Sequence, residues 1–381
     1  MKILFDVIST QNSMNGGAEY VIRVLSELLL HKSNQVEVIC LYDSCQSFPY
    51  KETSPQELSN KGIKSVDIQN NQLSRLVSIF NIDLLFIGIA QRFIKFNLSQ
   101  IRCKCICVIH DFYDYDLEGI HEYLYRKDML MLLRMKLRRC KNSIIEKKQK
   151  DNFYTFLNKC DNLSIVTVSE FTRASLLNKV IGKDKDIKVL YSPEKIANKN
   201  EQIENDVLDS LIRSNVRFYL IVNAGRILKN AKIALKAFKR YVELYAPDEK
   251  IVTIGFGKTE FVNHIDLPFL SSSDLENAYY HSYALIYPSL WEGFGYPPLE
   301  AMKYSKPVLC SNVCSMKEIL GDAPIYFSPF YESEVFLALL KFHNSDYQLL
   351  SDLSATCYMH VCKKQKEDLD CLIKMITSIN G

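Results

Sequence analysis

The sequence predicts an α/β chain made of two doubly wound parallel sheets with helices on both faces. Three observations carry that expectation. Short apolar runs of strand length alternate with longer amphipathic stretches through most of the 381 residues. The alternation is interrupted at 194–205, the polar segment EKIANKNEQIEN. Gly, Ser and Pro sit at the ends of the apolar runs, where the chain must turn. Strand–helix alternation of this kind gives a mostly parallel sheet, and the ligands of such sheets gather at the carboxyl ends of the strands.

Taken in order, the expected strands of the first half are Ile3–Ile8, Val36–Tyr42, Ile63–Ile68, Leu84–Ile87, Cys105–Ile109, Ile165–Val168 and Ile187–Tyr191. The first ends in a polar loop holding Gly16 and Gly17. Val21, Val24, Leu25 and Leu28 then recur at helical spacing, which places a helix over Ala18–Leu30. His110-Asp111 follows the fifth run. Ser169-Glu170-Phe171-Thr172 follows the sixth and reads as a helix start capped by Ser169. In the second half, Arg217–Asn223, Ile251–Ile254, Ala284–Tyr287, Pro307–Cys310, Ile319 and Ile325–Phe327 make up the series, with helices over Lys229–Tyr245 and Asp274–Tyr280. The resulting division is a first domain at 1–193, a linker at 194–205, a second domain at 206–345 and a helical tail at 346–381.

Composition is that of a globular chain, with 48% hydrophobic and 24% charged residues. A net charge of +3 gives no reason to expect a nucleic-acid partner. Twelve cysteines show no C-x-x-C pair. Cys103, Cys105 and Cys107 alternate along one strand, so they read as small buried hydrophobes on one face; a single strand face cannot wrap three ligands around an ion. Reduced thiols fit a cytoplasmic protein. No run approaches the roughly 20 apolar residues that span a bilayer, and MKILFDVIST reads as a strand, not a leader.

The chemistry concentrates in Tyr287–Met302, YPSLWEGFGYPPLEAM. A buried strand enters a glycine turn, and a helix begins near Leu299. Gly293 and Gly295 let backbone N–H groups approach a ligand, and the helix start offers unpaired N–H groups and a positive dipole end. Glu292 precedes that helix and Glu300 lies inside it. Acids beside an anion site suit sugar hydroxyls better than phosphate. Val222–Phe238, VNAGRILKNAKIALKAF, adds the opposite charge: Gly225 turns the chain, and Arg226 and Lys229 point two cations at a helix start.

With these residues in view, the chain resembles retaining glycosyltransferases of family 4, the glycosyl transferases group 1 type. Glu292 and Glu300, with GFG and PLEA around them, match the family's E-x7-E signature. Val222–Phe238 resembles its G-R…K-N element, shorter here between Arg and Lys than in many relatives. The resemblance implies a GT-B fold: two Rossmann-like domains facing a central cleft, the first on the acceptor side, the second binding the nucleotide sugar, and the tail returning to the first. It implies that Glu292 contacts the donor sugar and Glu300 the ribose, and that the backbone of Gly293, Phe294 and Gly295 lines the sugar and phosphate. Arg226 and Lys229 would neutralise the departing diphosphate without metal. His110 would bond the transferred sugar, and Gly16 and Gly17 would approach the donor from the first domain. The catalytic set so implied is His110, Arg226, Lys229 and Glu292. Retention is described in this family as front-face attack with the leaving phosphate taking the acceptor proton, so no protein nucleophile is needed.

The implied activity is transfer of a hexose, such as mannose, from a GDP- or UDP-sugar to a glycan or lipid-linked saccharide in bacterial surface polysaccharide synthesis, with neither cofactor nor metal. A sugar-nucleotide epimerase of the same fold and an inactive nucleotide-sugar-binding module remain alternatives. Gly255-Phe256-Gly257 and the following His264–Phe269 fall where relatives present backbone to the base. Asp114-Tyr115-Asp116 reads as loop in preference to a metal-binding D-x-D. Arg126–Lys150 is a basic amphipathic stretch that suits either a solvated helix or peripheral contact with anionic lipid at the inner face of the membrane.

Overall fold

The computed structural model describes residues 1–12, 14–69, 72–98, 100–111, 151–160, 162–179, 185, 187–195 and 203–378. Arg126–Lys150 and Asp114-Tyr115-Asp116 lie outside them, as does part of the 194–205 segment. The chain forms two compact units, Met1–Ile196 with Lys364–Gly381, and Ala197–Lys363.

In the first unit seven strands form one sheet: β1 (Lys2–Asp6), β2 (Glu37–Tyr42), β3 (Lys64–Asp67), β4 (Leu84–Ile87), β5 (Lys104–Ile109), β6 (Leu163–Thr167) and β7 (Ile187–Val189). Their order is β3-β2-β1-β4-β5-β6-β7, and every pairing is parallel. The inner strands β1, β4 and β5 are short and almost wholly buried because both their faces are covered, which explains their apolar runs. Cys103, Cys105 and Cys107 are all buried in this core. Among the described residues no group of His, Cys, Asp and Glu could hold a metal ion.

The second unit repeats the plan with β8 (Phe218–Ile221), β9 (Lys250–Ile254), β10 (His264–Leu267), β11 (Ala284–Tyr287), β12 (Val308–Ser311) and β13 (Ile325–Phe327), ordered β10-β9-β8-β11-β12-β13 and again all parallel. The amphipathic helix Ala231–Leu244 buries Leu235, Phe238, Tyr241 and Val242 against it. Each such side chain contributes about 1.5–3 kcal/mol of burial.

Several local expectations are corrected. Gly16 and Gly17 are the first residues of a helix, Gly16–His31, not a loop before one, because Asn15 caps it by accepting from the Ala18 N–H at 3.0 Å. Ile319 lies in the helix Met316–Leu320. His264–Leu267, too short and polar to read as a strand, pairs with β9 at the sheet edge. The helix Asp206–Arg213 begins directly after Asn205, whose side chain accepts from the Leu208 N–H. The final helix, Tyr347–Thr377, runs long; its residues from Lys364 onward group with the first unit. There the Tyr191 N–H donates to Asp368 at 2.8 Å and the Gln365 amide to the Ser192 carbonyl at 2.6 Å. No helix among the described residues is long and apolar enough to cross a membrane.

Two close fits hold the strand ends. Asp6, at the end of β1, is fully buried with no cation partner among the described residues; it accepts from Ser9 through backbone and hydroxyl, and from the Gly88 N–H at 3.0 Å. Burial pushes its carboxyl up to about 6, against the pull of those hydrogen bonds. In the second unit, Gly225 lies so close to the loop after β9 that a Cβ there would stand 2.1 Å from the Gly255 carbonyl oxygen.

Two outcomes follow. The folded state holds the Asp6 proton more tightly than the unfolded chain, so acidification from above pH 6 towards about pH 4 favours folding at this site, by up to about 3 kcal/mol. Asp6→Asn should lack that gain, read as a wild-type-minus-variant unfolding free energy in urea that moves towards wild type as pH falls. Gly225→Ala meets backbone that cannot rotate away, so its unfolding free energy should fall by about 1–3 kcal/mol.

Candidate functional site

In the second sheet the strand order reverses between β8 and β11, and a doubly wound sheet opens a crevice at such a switch point. The segments leaving these strands, 222–230 and 288–295, carry the charged residues and are tied to each other. The Leu290 N–H donates to the Leu228 carbonyl at 2.8 Å. The Ser311 hydroxyl holds the Ser289 carbonyl at 2.7 Å, and the buried Ser315 hydroxyl reaches the Glu292 carbonyl at 3.3 Å.

Between the segments Lys229 and Glu292 form an ion pair through Nζ and Oε1, with only 13% and 12% of their side chains exposed. Ile227–Lys229 is a single 3-10 turn, which brings Lys229 back towards β11 before the helix starts at Ala231. Tyr287, the last residue of β11, is 1% exposed. Its hydroxyl accepts from Lys229 Nζ at 2.6 Å and donates to Glu292 Oε1 at 2.6 Å. The Ser289 hydroxyl donates to the same oxygen, and the Lys229 ammonium lies 4.7 Å from the centre of the Tyr287 ring. Burial, then the charge of Glu292, pushes the Tyr287 phenol far above its ordinary range, so it stays a neutral donor. Oε1 is thus held by three donors, while Oε2 has no hydrogen bond among the described residues. The result is a half-buried cation beside an open carboxylate oxygen: a place for an anion next to a place for a hydroxyl.

The other residues of this half are arranged less uniformly. Arg226 is exposed and forms no ion pair among the described residues, so the expected two-cation clamp is present here as one engaged cation, Lys229. Glu300 lies inside the helix Tyr296–Met302, where one of its oxygens accepts from the buried Tyr279 hydroxyl at 2.6 Å. That helix starts at Tyr296, not near Leu299, so Pro297 and Pro298 occupy its first turn and supply no N–H; the dipole end has fewer donors than the motif suggested. Gly295 adopts φ +90°, and the space its missing Cβ leaves is taken by the Met316 methyl. Phe294 turns its ring into the core, leaving Gly293 and its backbone at the turn. In the loop after β9, Asp266 accepts from the Phe256 and Gly257 N–H groups, both at 2.9 Å, so these two donors are already engaged.

The first unit, taken by itself, gathers its predicted residues at its own switch point, between β1 and β4. Gly17 permits a close approach, but to protein: its Cβ would stand 2.7 Å from the Ile89 methyl. Gly16 sits beside it in the same helix turn. His110 follows β5 and donates from Nε2 to the Gly88 carbonyl at 2.9 Å. A carbonyl partner fixes the tautomer, so Nδ1 keeps its lone pair. Burial pushes the imidazole down to about 4 and keeps it neutral at neutral pH. Tyr20 packs edge-on against the ring, with centroids 4.7 Å apart. Gly88 also bonds Asp6, so a strand-end acid positions the loop that positions the histidine. Ser169 accepts from the Thr172 N–H as the expected cap, and the Thr172 hydroxyl donates to the His110 carbonyl.

Sequence reasoning missed Tyr287, Ser289, Asp6 and Asp266. Asp6 had a signal, an acid ending an otherwise apolar strand. Tyr287 and Ser289 were inside the quoted stretch but read as strand and turn. Nothing local marked Asp266, whose partners come from β9 and the loop after it.

Known proteins resemble this chain in fold and, over part of its length, in sequence. A model of the family "Glycosyl transferases group 1" matches residues 202–354. The chain is similar to O-antigen chain mannosyltransferase B of Escherichia coli, 44% identical over 63 residues, covering 16% of each chain. It is also similar to the O-antigen chain mannosyltransferase RfbU of Salmonella typhimurium, 27% identical over 179 residues, covering 43% of this chain and 46% of the relative. The matches thus span less than half the length of these curated relatives. Among solved structures, WaaG, a glycosyltransferase involved in lipopolysaccharide biosynthesis, superposes with a TM-score of 0.65 at 14% identity over 99% of this chain and all of the other. The chain has the GT-B fold, and its residues 202–354, which carry the Lys229–Glu292 pair, match the model of the glycosyl transferases group 1 family.

Proposed function

We propose that the protein is a retaining, metal-independent glycosyltransferase of the family 4 type that moves a hexose from a nucleotide sugar to a glycan or lipid-linked saccharide. The observation that carries this reading is the Lys229–Glu292 pair at the β8/β11 switch point, with Glu300 in the helix that follows. Mannose from GDP-mannose is the leading donor, on the similarity to two O-antigen mannosyltransferases, and UDP-sugars are the competing class. Bacterial surface polysaccharide is the corresponding setting.

In this reading the bond between the sugar's anomeric carbon and the diphosphate oxygen breaks as the acceptor oxygen bonds to that carbon. The acceptor proton passes to the leaving phosphate. Negative charge grows on the diphosphate, and Lys229, joined by Arg226 from its exposed turn, stabilises it. Glu292 Oε2 accepts from a donor-sugar hydroxyl, and Glu300 from the ribose. His110 Nδ1, an acceptor in the neutral ring, suits another sugar hydroxyl. The basic stretch Arg126–Lys150 would bring the enzyme to an anionic surface where a lipid-linked acceptor resides.

A thermal-shift screen of GDP- and UDP-sugars should find a donor that raises the unfolding midpoint. With that donor and a lipid-linked saccharide, transfer should persist in excess EDTA, and NMR should show the donor's anomeric configuration in the product. Lys229→Met, Glu292→Gln and Glu300→Ala should each lower transfer by about 100-fold or more while the protein stays folded. Unchanged transfer in Lys229→Met and Glu300→Ala would sink the site assignment. Sedimentation with anionic vesicles should be strong at low salt and lost at high salt.

A further inference from the structure

Glu292 lies in a place where its charge must always be compensated. At 12% exposure it is too buried for water to replace a lost partner fully, so removing that partner leaves a poorly compensated charge. Lys229 is that partner here. It is also the engaged cation at the switch point, so a diphosphate that draws Lys229 towards its oxygens pulls it from Glu292.

The surroundings of Oε1 contain an answer to this conflict. Tyr287 bonds both members of the pair, accepting from Lys229 and donating to Glu292, each at 2.6 Å. Its hydroxyl proton is already directed at the carboxylate, so departure of Lys229 leaves that hydrogen bond intact. Ser289 adds a second neutral donor to the same oxygen. The Tyr287 ring cannot swing away, because it ends β11 and is 1% exposed.

We propose that Tyr287 is a positioning residue of the donor site: its hydroxyl holds Glu292 in place and partners its charge when Lys229 turns to the diphosphate. This rests on the nucleotide-sugar reading above. It assigns Tyr287 a role in binding the phosphate-bearing ligand although the phenol touches no part of that ligand. The consequence is a coupling: Tyr287 matters to diphosphate binding only while Lys229 is there to be shared.

A double-mutant cycle on nucleotide affinity tests this. GDP and UDP are titrated calorimetrically into the unaltered protein, and the one that binds is carried into Tyr287→Phe, Lys229→Met and the double variant. Tyr287→Phe keeps the ring and its packing and removes one oxygen. It should weaken the nucleotide by about tenfold, the scale of a hydrogen bond to a buried charge. In the Lys229→Met background the same change should alter affinity by less than about twofold. An equal loss in both backgrounds would mean that Tyr287 only supports the local structure, and no loss in either would mean that it does nothing for binding; both overturn the inference. If neither GDP nor UDP binds the unaltered protein, the nucleotide reading itself fails and the inference falls with it.

Discussion

The ion pair between Lys229 and Glu292 is the interaction on which the rest of the second unit's chemistry depends. Its existence needs two residues that are 63 apart in sequence to lie on loops leaving neighbouring strands, and the parallel pairing of β8 with β11 provides that. A pair this poorly hydrated adds little net stability, since the cost of removing both charges from water offsets most of their attraction. Its value is geometric. It fixes one carboxylate oxygen, leaves the other without a hydrogen bond among the described residues, and holds a cation beside it. The serines around it, Ser289, Ser311 and Ser315, hold backbone carbonyls or the carboxylate itself and keep the turn from relaxing.

The first unit solves a similar problem with neutral groups. His110 has no carboxylate partner among the described residues; a carbonyl fixes its tautomer and burial keeps it uncharged. The buried Asp6 acts one step away, through Gly88. A charged imidazole would donate from both nitrogens, whereas the neutral ring here offers Nδ1 as an acceptor. One unit therefore presents an open carboxylate oxygen beside a cation and the other an open ring nitrogen, and both can receive a hydroxyl hydrogen bond.

The motifs were legible because they are local. The E-x7-E spacing, the glycine turn and the strand before it lie between Ala284 and Met302, and a strand–turn–helix can be read from apolar runs and punctuation. The failures were also local in origin. Pro297 and Pro298 looked like a boundary before the helix, but proline is favoured in a helix's first turn, so they start it. The glycine pair at Gly16 and Gly17 looked like a ligand loop, but Asn15 had already begun the helix. The edge strand His264–Leu267 carries a buried-strand signal in only part of its length, because an edge is covered on fewer sides.

The sequence by itself determined the class of the fold and the positions of most strands, because periodicity is a property of neighbouring residues, and its local motifs with the family resemblance they carry marked Lys229, Glu292, Glu300 and His110 as candidates. Only the tertiary structure decided which candidates meet. Strand order brings Lys229 and not Arg226 to Glu292, supplies Tyr287 as the third member, and sets Tyr279 on Glu300. It also decided that the glycine N–H groups after β9 answer to Asp266 and that the space beside Gly17 is filled by Ile89. These are contacts between distant segments, and they depend on sheet register and helix packing, which no local pattern encodes.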